Sequence, residues 1–153
     1  MTLYVLTDWL SLIPIAVVMA FGLFGALQWV KGKHILKVDR SILALGVFYI
    51  VTLVCFLVFE AAVINYRPVL IEGILESSYP SSTTLLVLCV MPAARMELGR
   101  RMKNGRWVSR IIIIFEVFMI VSRLLSGVHW LTDIIGGILL SAGLVMLYTV
   151  IRE

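Results

Sequence analysis

Apolar residues run through this chain in long uncharged blocks, and the charged residues gather between them. Residues 9–30 carry no charge, and residues 41–66 carry one, Glu60. Residues 108–125 hold Arg110 and Arg123 near their ends and Glu116 inside, while residues 130–151 carry only Asp133, close to the start. A shorter uncharged block, residues 79–94, lies between these. A helix needs about 20 predominantly apolar residues to cross the hydrocarbon core. In that core every backbone N–H and C=O must be satisfied within the segment. The pattern therefore predicts an all-α, polytopic membrane bundle of about five transmembrane helices.

The connections, residues 31–40, 68–79, 95–107 and 126–129, leave no room for a soluble domain, so residues 1–153 are expected to form one unit. The first block has no basic leader and is longer than a signal-peptide apolar region, so it reads as a retained helix. Composition strengthens the membrane reading: 61% of the 153 residues are hydrophobic and 14% are charged, outside the range of ordinary soluble domains. Cys55 and Cys89 both fall inside blocks and read as packing residues.

Charge then gives the topology. Of the 13 Lys and Arg, 11 lie in the first connection, in or beside the third, or after the last block. The positive-inside rule puts those positions in the cytoplasm, with the N-terminus outside and the C-terminus inside. The net charge of +4 is then a topology signal and implies no nucleic-acid partner, because the cations hug span ends and form no basic domain. Small size and a clean positive-inside bias suggest a bacterial plasma membrane.

Two cations, Arg67 and Arg123, remain on the outer side. Arg67 ends the second block just before Pro68, which discourages a continuing helix. Arg123 ends the fourth, His129 and Asp133 open the fifth one turn apart, and Tyr79-Pro80-Ser81-Ser82-Thr83-Thr84 begins the third with cap candidates. Two guanidiniums, two helix N-termini and a His–Asp pair at one membrane face suit an anion, phosphate above all. Taken singly, the arginines also read as interfacial anchors, His129 as a packing residue and Asp133 as a first-turn acid. Their coincidence at one face favours the anion site. His34 stands alone on the other side, and no cluster suggests a metal.

The run from Ser122-Arg123 through His129 to Asp133 resembles the third signature of the type 2 phosphatidic acid phosphatase family, S-R-x-x-x-x-x-H-x-x-x-D, at every fixed position. Pro80-Ser81-Ser82-Thr83 resembles its second, P-S-G-H, and Glu60 through Arg67-Pro68 its first, K-x-x-x-x-x-x-R-P. The resemblance implies a phosphatase without cofactor or metal, acting on a lipid phosphate or diphosphate. His129 would be the nucleophile, and Asp133 would orient its ring. Arg67, Arg123, Ser81, and backbone N–H groups around Ser82 would hold the phosphoryl oxygens. Two departures stand out. Glu60 replaces the family's lysine, and Thr83 replaces the histidine that protonates the leaving oxygen; a threonine offers a hydrogen bond but no proton near neutral pH.

Glu60 precedes Arg67 by seven residues, and Glu116 precedes Arg123 by seven. On a helix that puts each on its arginine's face about 10 Å deeper. There they brace the arginines from behind, with Ser122 beside them, or stay protonated, or share the register by coincidence. Three functions fit the sequence: a lipid phosphatase at the outer leaflet, an inactive relative that binds phospholipid or polyprenyl head groups, and a structural partner. Thr83 directs the first toward polyprenyl diphosphate, whose leaving phosphate needs little protonation. Gly22, Gly25, Ala26, Gly136, Gly137 and Ser141 permit close helix packing within one chain or between copies of a homo-oligomer.

The orientation is open to labelling. In intact cells, a membrane-impermeant thiol reagent should tag a cysteine at position 72 and leave one at position 37 unmodified, in a background lacking Cys55 and Cys89. Labelling at position 37 instead would move the candidate site to the cytoplasm.

Overall fold

The computed structural model describes residues 2–34, 37–71 and 73–152; Glu72, the outer labelling position, lies outside them. The chain forms α1 (Thr2–Leu10), α2 (Leu12–Gly32), α3 (Arg40–Ala62), α4 (Ser82–Arg101), α5 (Gly105–Leu125) and α6 (Leu131–Ile151). Only Ser11 separates α1 from α2, and the interruption has a local cause. Pro14 has no N–H to give the carbonyl of Leu10, and its ring crowds that carbonyl. The result is five helical rods, the first of them broken. Among the described residues no strand forms; the loop of residues 63–81 holds two isolated bridges, Tyr66 with Ser77 and Ile71 with Ile74.

The sequence blocks and the helices differ at their ends. The first rod starts well before Trp9, because Asp8 lies inside a helix instead of bounding one. The second rod stops at Ala62, where Val63 turns left-handed at φ 41° and its N–H closes onto the carbonyl of Phe59. Residues 63–66, which the pattern assigns to the span, therefore belong to the loop. The third rod starts at Ser82, with Ser81 as its N-cap.

Three rods are long and apolar enough to cross a membrane: Leu3–Gly32, Arg40–Ala62 and Leu131–Ile151. α4 and α5, with 20 and 21 residues, have the length but more charge. For α4 the reason is its place at the centre, packed against α2, α3, α5 and α6. Thr83, Thr84 and Glu97 are buried against neighbouring helices, so they do not require an apolar solvent. The rest of the outer surface is apolar: Met19, Leu23, Ile50, Ile114 and Leu139 all stand exposed, as lipid-facing side chains must.

The interior packs in two clusters. Leu45 and Phe48 of α3 meet Leu85, Cys89 and Ala93 of α4 and Tyr148 of α6, so Cys89 is a packing residue. Val87 and Met91 of α4 meet Ile112 and Met119 of α5. Beyond the first cluster, at the end opposite the candidate site, a polar tie closes the bundle. Buried Glu97 accepts a hydrogen bond from the Tyr148 hydroxyl at 3.1 Å and lies 3.5 Å from Arg101 Nη2 and 3.9 Å from Arg152 Nε. Arg101 also donates to Asp39 and Ser41, each at 3.0 Å.

The candidate-site end depends on a close approach. Gly136 in α6 lies under the ring of Tyr79, which a Cβ at that position would overlap, whereas Gly143 faces open space. Gly136→Ala should thus lower stability by about 1–3 kcal/mol through overpacking. Gly143→Ala should be neutral or slightly stabilising. Thermal unfolding of the two variants in detergent, which should show a lower midpoint for Gly136→Ala alone, checks this.

Candidate functional site

Four chain segments meet at one end of the bundle: the broken first rod, the loop of residues 63–81 with the start of α4, the end of α5, and the corner before α6. Their shared anchor is Asp133, fully buried in the first turn of α6. Its carboxylate accepts from the backbone N–H of Trp130 at 2.9 Å, from Asn65 Nδ2 at 3.3 Å, and from the hydroxyl of Ser78 in a short hydrogen bond. Its own carbonyl accepts from the N–H of Ser81 at 3.1 Å. A first-turn carboxylate is favoured by the helix dipole as well as by these donors.

His129 stands beside this anchor and is itself buried. Its Nδ1 lies 3.1 Å from Ser78 Oγ and 3.7 Å from Asp133 Oδ2. The sequence reading expects Asp133 to hold the ring directly, but Ser78 stands between them. One arrangement satisfies all three groups: Nδ1–H donates to Ser78 Oγ, and the Ser78 hydroxyl donates to Asp133. That tautomer leaves Nε2 with a bare lone pair. Nε2 is buried and has no partner in the protein. Burial holds His129 down at about 4, helped by the charges of Arg67 and Arg123 and opposed by Asp133. The ring is accordingly neutral at pH 7, the form a nucleophile requires.

The two arginines present unused donors to the same space. Arg123 is 2% exposed, and its Nη2 donates to Thr83 Oγ1 in a short hydrogen bond and to Asp8 Oδ1 at 3.2 Å. The ring of Tyr4 lies 5.2 Å from its guanidinium carbon. Arg67 Nε is 3.0 Å from Glu76 Oε2 without forming a hydrogen bond. Nη1 of both arginines and Nε of Arg123 are buried and unpartnered.

The other residues singled out from sequence fall as follows. Ser81 caps α4: its Oγ accepts from the N–H of Thr84 at 3.4 Å and the hydroxyl of Thr84 at 3.0 Å. Ser82 and Thr83 line an apolar cavity beside the site. Ser122 is buried next to Arg123. Glu60 is exposed and Glu116 half-buried with Oε1 unpartnered, and neither pairs with its arginine. Glu76 and Asp8 take those places, from the loop and from α1. Sequence reasoning missed Asp8, Ser78, Glu76 and Asn65. Asp8 did leave a signal, a lone acid interrupting an apolar run. Among the described residues no three His, Cys, Asp or Glu side chains stand close enough to share a metal ion.

Buried arginines with free N–H groups thus gather at one end of a helical bundle with an imidazole braced by serine and aspartate. The family model of the PAP2 superfamily matches residues 44–153, and the chain belongs to that superfamily. In fold the chain is similar to the crystal structure described as the first transmembrane PAP2 type phosphatidylglycerolphosphate phosphatase, from Bacillus subtilis. The TM-score is 0.57 at 22% identity, covering 92% of this chain and 75% of the other. No curated protein matches the sequence significantly.

The setting of His129 has a spectroscopic consequence. Its imidazole resonances, assigned with His129→Ala, should titrate with a midpoint near 4 in place of the usual 6.5 or so. Asp133→Asn should lower that midpoint further by removing the one charge that favours the imidazolium, and Arg67→Met should raise it. A midpoint near the ordinary value would refute the desolvated placement.

Proposed function

We propose that the protein is a membrane lipid phosphatase in which His129 attacks a lipid phosphate or diphosphate at the outer leaflet of a bacterial plasma membrane. Membership of the PAP2 superfamily and likeness in fold to a phosphatidylglycerolphosphate phosphatase support the class. The observation that carries it is the set of buried unpartnered groups: His129 Nε2, Nη1 of Arg67, and Nε and Nη1 of Arg123. Each buried donor left unsatisfied costs about 1–3 kcal/mol, and a bound phosphoryl group supplies acceptors for the guanidiniums and an electrophile for the imidazole.

In the reaction, Nε2 forms a bond to phosphorus as the bond to the leaving oxygen breaks, and the arginines hold the equatorial oxygens while charge redistributes. The phosphohistidine is then hydrolysed by water. Ser78 and Asp133 stabilise the positive charge that the ring acquires at Nδ1–H, the role of an orienting group behind a nucleophile. Nothing in this sequence of steps requires a metal.

Thr83 by itself favours a substrate whose leaving group needs no proton, and among lipids a polyprenyl diphosphate fits that description. Thr83 and Glu60 also favour one other reading, an inactive relative that binds lipid phosphate head groups. Phosphate release separates the two. Purified protein in nanodiscs should release phosphate from members of a panel of lipid mono- and diphosphates. His129→Ala should abolish release while leaving lipid phosphate binding measurable, and Arg123→Ala should lower turnover by about 10²–10³-fold. Binding without release by the wild type would establish the inactive reading in place of the enzyme.

A further inference from the structure

We propose that Asp8 is the proton donor to the leaving oxygen, filling the role that Thr83 cannot; this rests on the phosphatase reading above. Two independent observations meet at Asp8. The first is its place on Arg123: Asp8 Oδ1 and Thr83 Oγ1 accept from the same nitrogen, Nη2. Both side chains therefore stand against the guanidinium that, on that reading, holds the phosphoryl oxygens.

The second is a cavity of about 570 Å³ that begins at Asp8, Ser82 and Thr83 and runs between α2, α3 and α4 to Val18 and Val90. Its lining is apolar apart from a few hydroxyls, and Asp8 is the one carboxylate in it. A phosphoryl group on the arginines, with its hydrocarbon tail in this cavity, sets the ester oxygen at the cavity's polar mouth. Asp8 stands there. His129 comes from the corner before α6 and does not line the cavity. In-line displacement needs the attacking and leaving atoms on opposite sides of phosphorus, and the proposal assigns the leaving oxygen to the cavity side and Nε2 to the other.

The proton balance closes within the site. A phosphomonoester monoanion arrives with one P–OH, and its oxygens displace the Asp8 carboxylate from Arg123. The proton passes to Asp8. The Nε2 lone pair forms the N–P bond, and the electron pair of the breaking P–O bond goes to the ester oxygen, which takes the proton from Asp8. In the second half, the water oxygen attacks phosphorus and passes its second proton to a phosphoryl oxygen, and Asp8 stays a carboxylate. The N–P pair returns to Nε2, and inorganic phosphate leaves. The net change is hydrolysis of one ester bond by one water. Asp8 thereby extends the enzyme to monoesters, whose alkoxide must be protonated.

Leaving-group dependence tests this with decyl phosphate and 4-nitrophenyl phosphate. Asp8→Asn should lower kcat on decyl phosphate by about 10²–10⁴-fold, and keep 4-nitrophenyl phosphate within about threefold of wild type, because only the alkoxide needs the proton. Adding Thr83→His to Asp8→Asn should restore decyl phosphate turnover in part, by returning a donor to the adjacent position. Asp8→Glu, which keeps the carboxyl, should fall between wild type and Asp8→Asn on decyl phosphate, and serves where Asp8→Asn does not fold. Equal losses on both substrates, or a change in KM alone, would make Asp8 a holder of Arg123 and overturn the proposal while leaving the phosphatase standing. A wild type that releases phosphate from neither substrate nor any lipid would remove both.

Discussion

The candidate site is organised by a single buried carboxylate. Asp133 binds the loop after α3 through Asn65, the segment before α4 through Ser78, the corner after α5 through the Trp130 N–H, and the start of α4 through its own carbonyl. The first three of those segments have no regular structure that would fix them independently, so their positions relative to α4 and α6 depend on what this one residue accepts. An isolated carboxylate in such a place would cost several kcal/mol, and donors on every side are what make it tolerable. The same donors hold the serine that orients His129. Position and chemistry thus depend on one group, and neither can be altered without the other.

The bundle carries a second buried acid at its other end, and the two differ in kind. Glu97 has cationic partners, Arg101 and Arg152, both partly exposed, and ties α4 to α6 and, through Arg101, to the connection before α3. Asp133 is satisfied by neutral donors at short range. A neutral cage leaves the carboxylate's charge available to the imidazolium; a cationic cage would cancel it. The charged tie is accordingly suited to holding helices, and the neutral one to steadying the charge that the proposed reaction would place on His129.

The sequence was legible where the physics is one-dimensional. Uncharged length predicted five rods, and the run from Ser122 to Asp133 marked the corner that carries Arg123 and His129. Illegible were the partners that tertiary folding brings from afar. Spacing along a helix offered Glu60 and Glu116 to the arginines, yet Glu76 and Asp8 pair with them, because α3 stops at Ala62 and the loop folds back over Arg67. Asp8 looked like the boundary of an apolar block. Its meaning depends on Pro14 breaking the first rod so that α1 packs on α5 beside Arg123. Ser78 sits in an unremarkable Ser77-Ser78 pair, and only the register of that loop against Asn65 places it between His129 and Asp133.

The cavity between α2, α3 and α4 bears on how a phosphatase of the proposed kind would meet a lipid. Its walls are mostly apolar, with Asp8, Ser82 and Thr83 at one end, so under the proposed function a lipid entering by this route would keep its tail in hydrocarbon as its head group comes toward Arg123. Encounter then takes place in two dimensions. For such a substrate the relevant concentration is its mole fraction in the leaflet, and diluting it with inert lipid slows turnover even when the total amount in the suspension is unchanged.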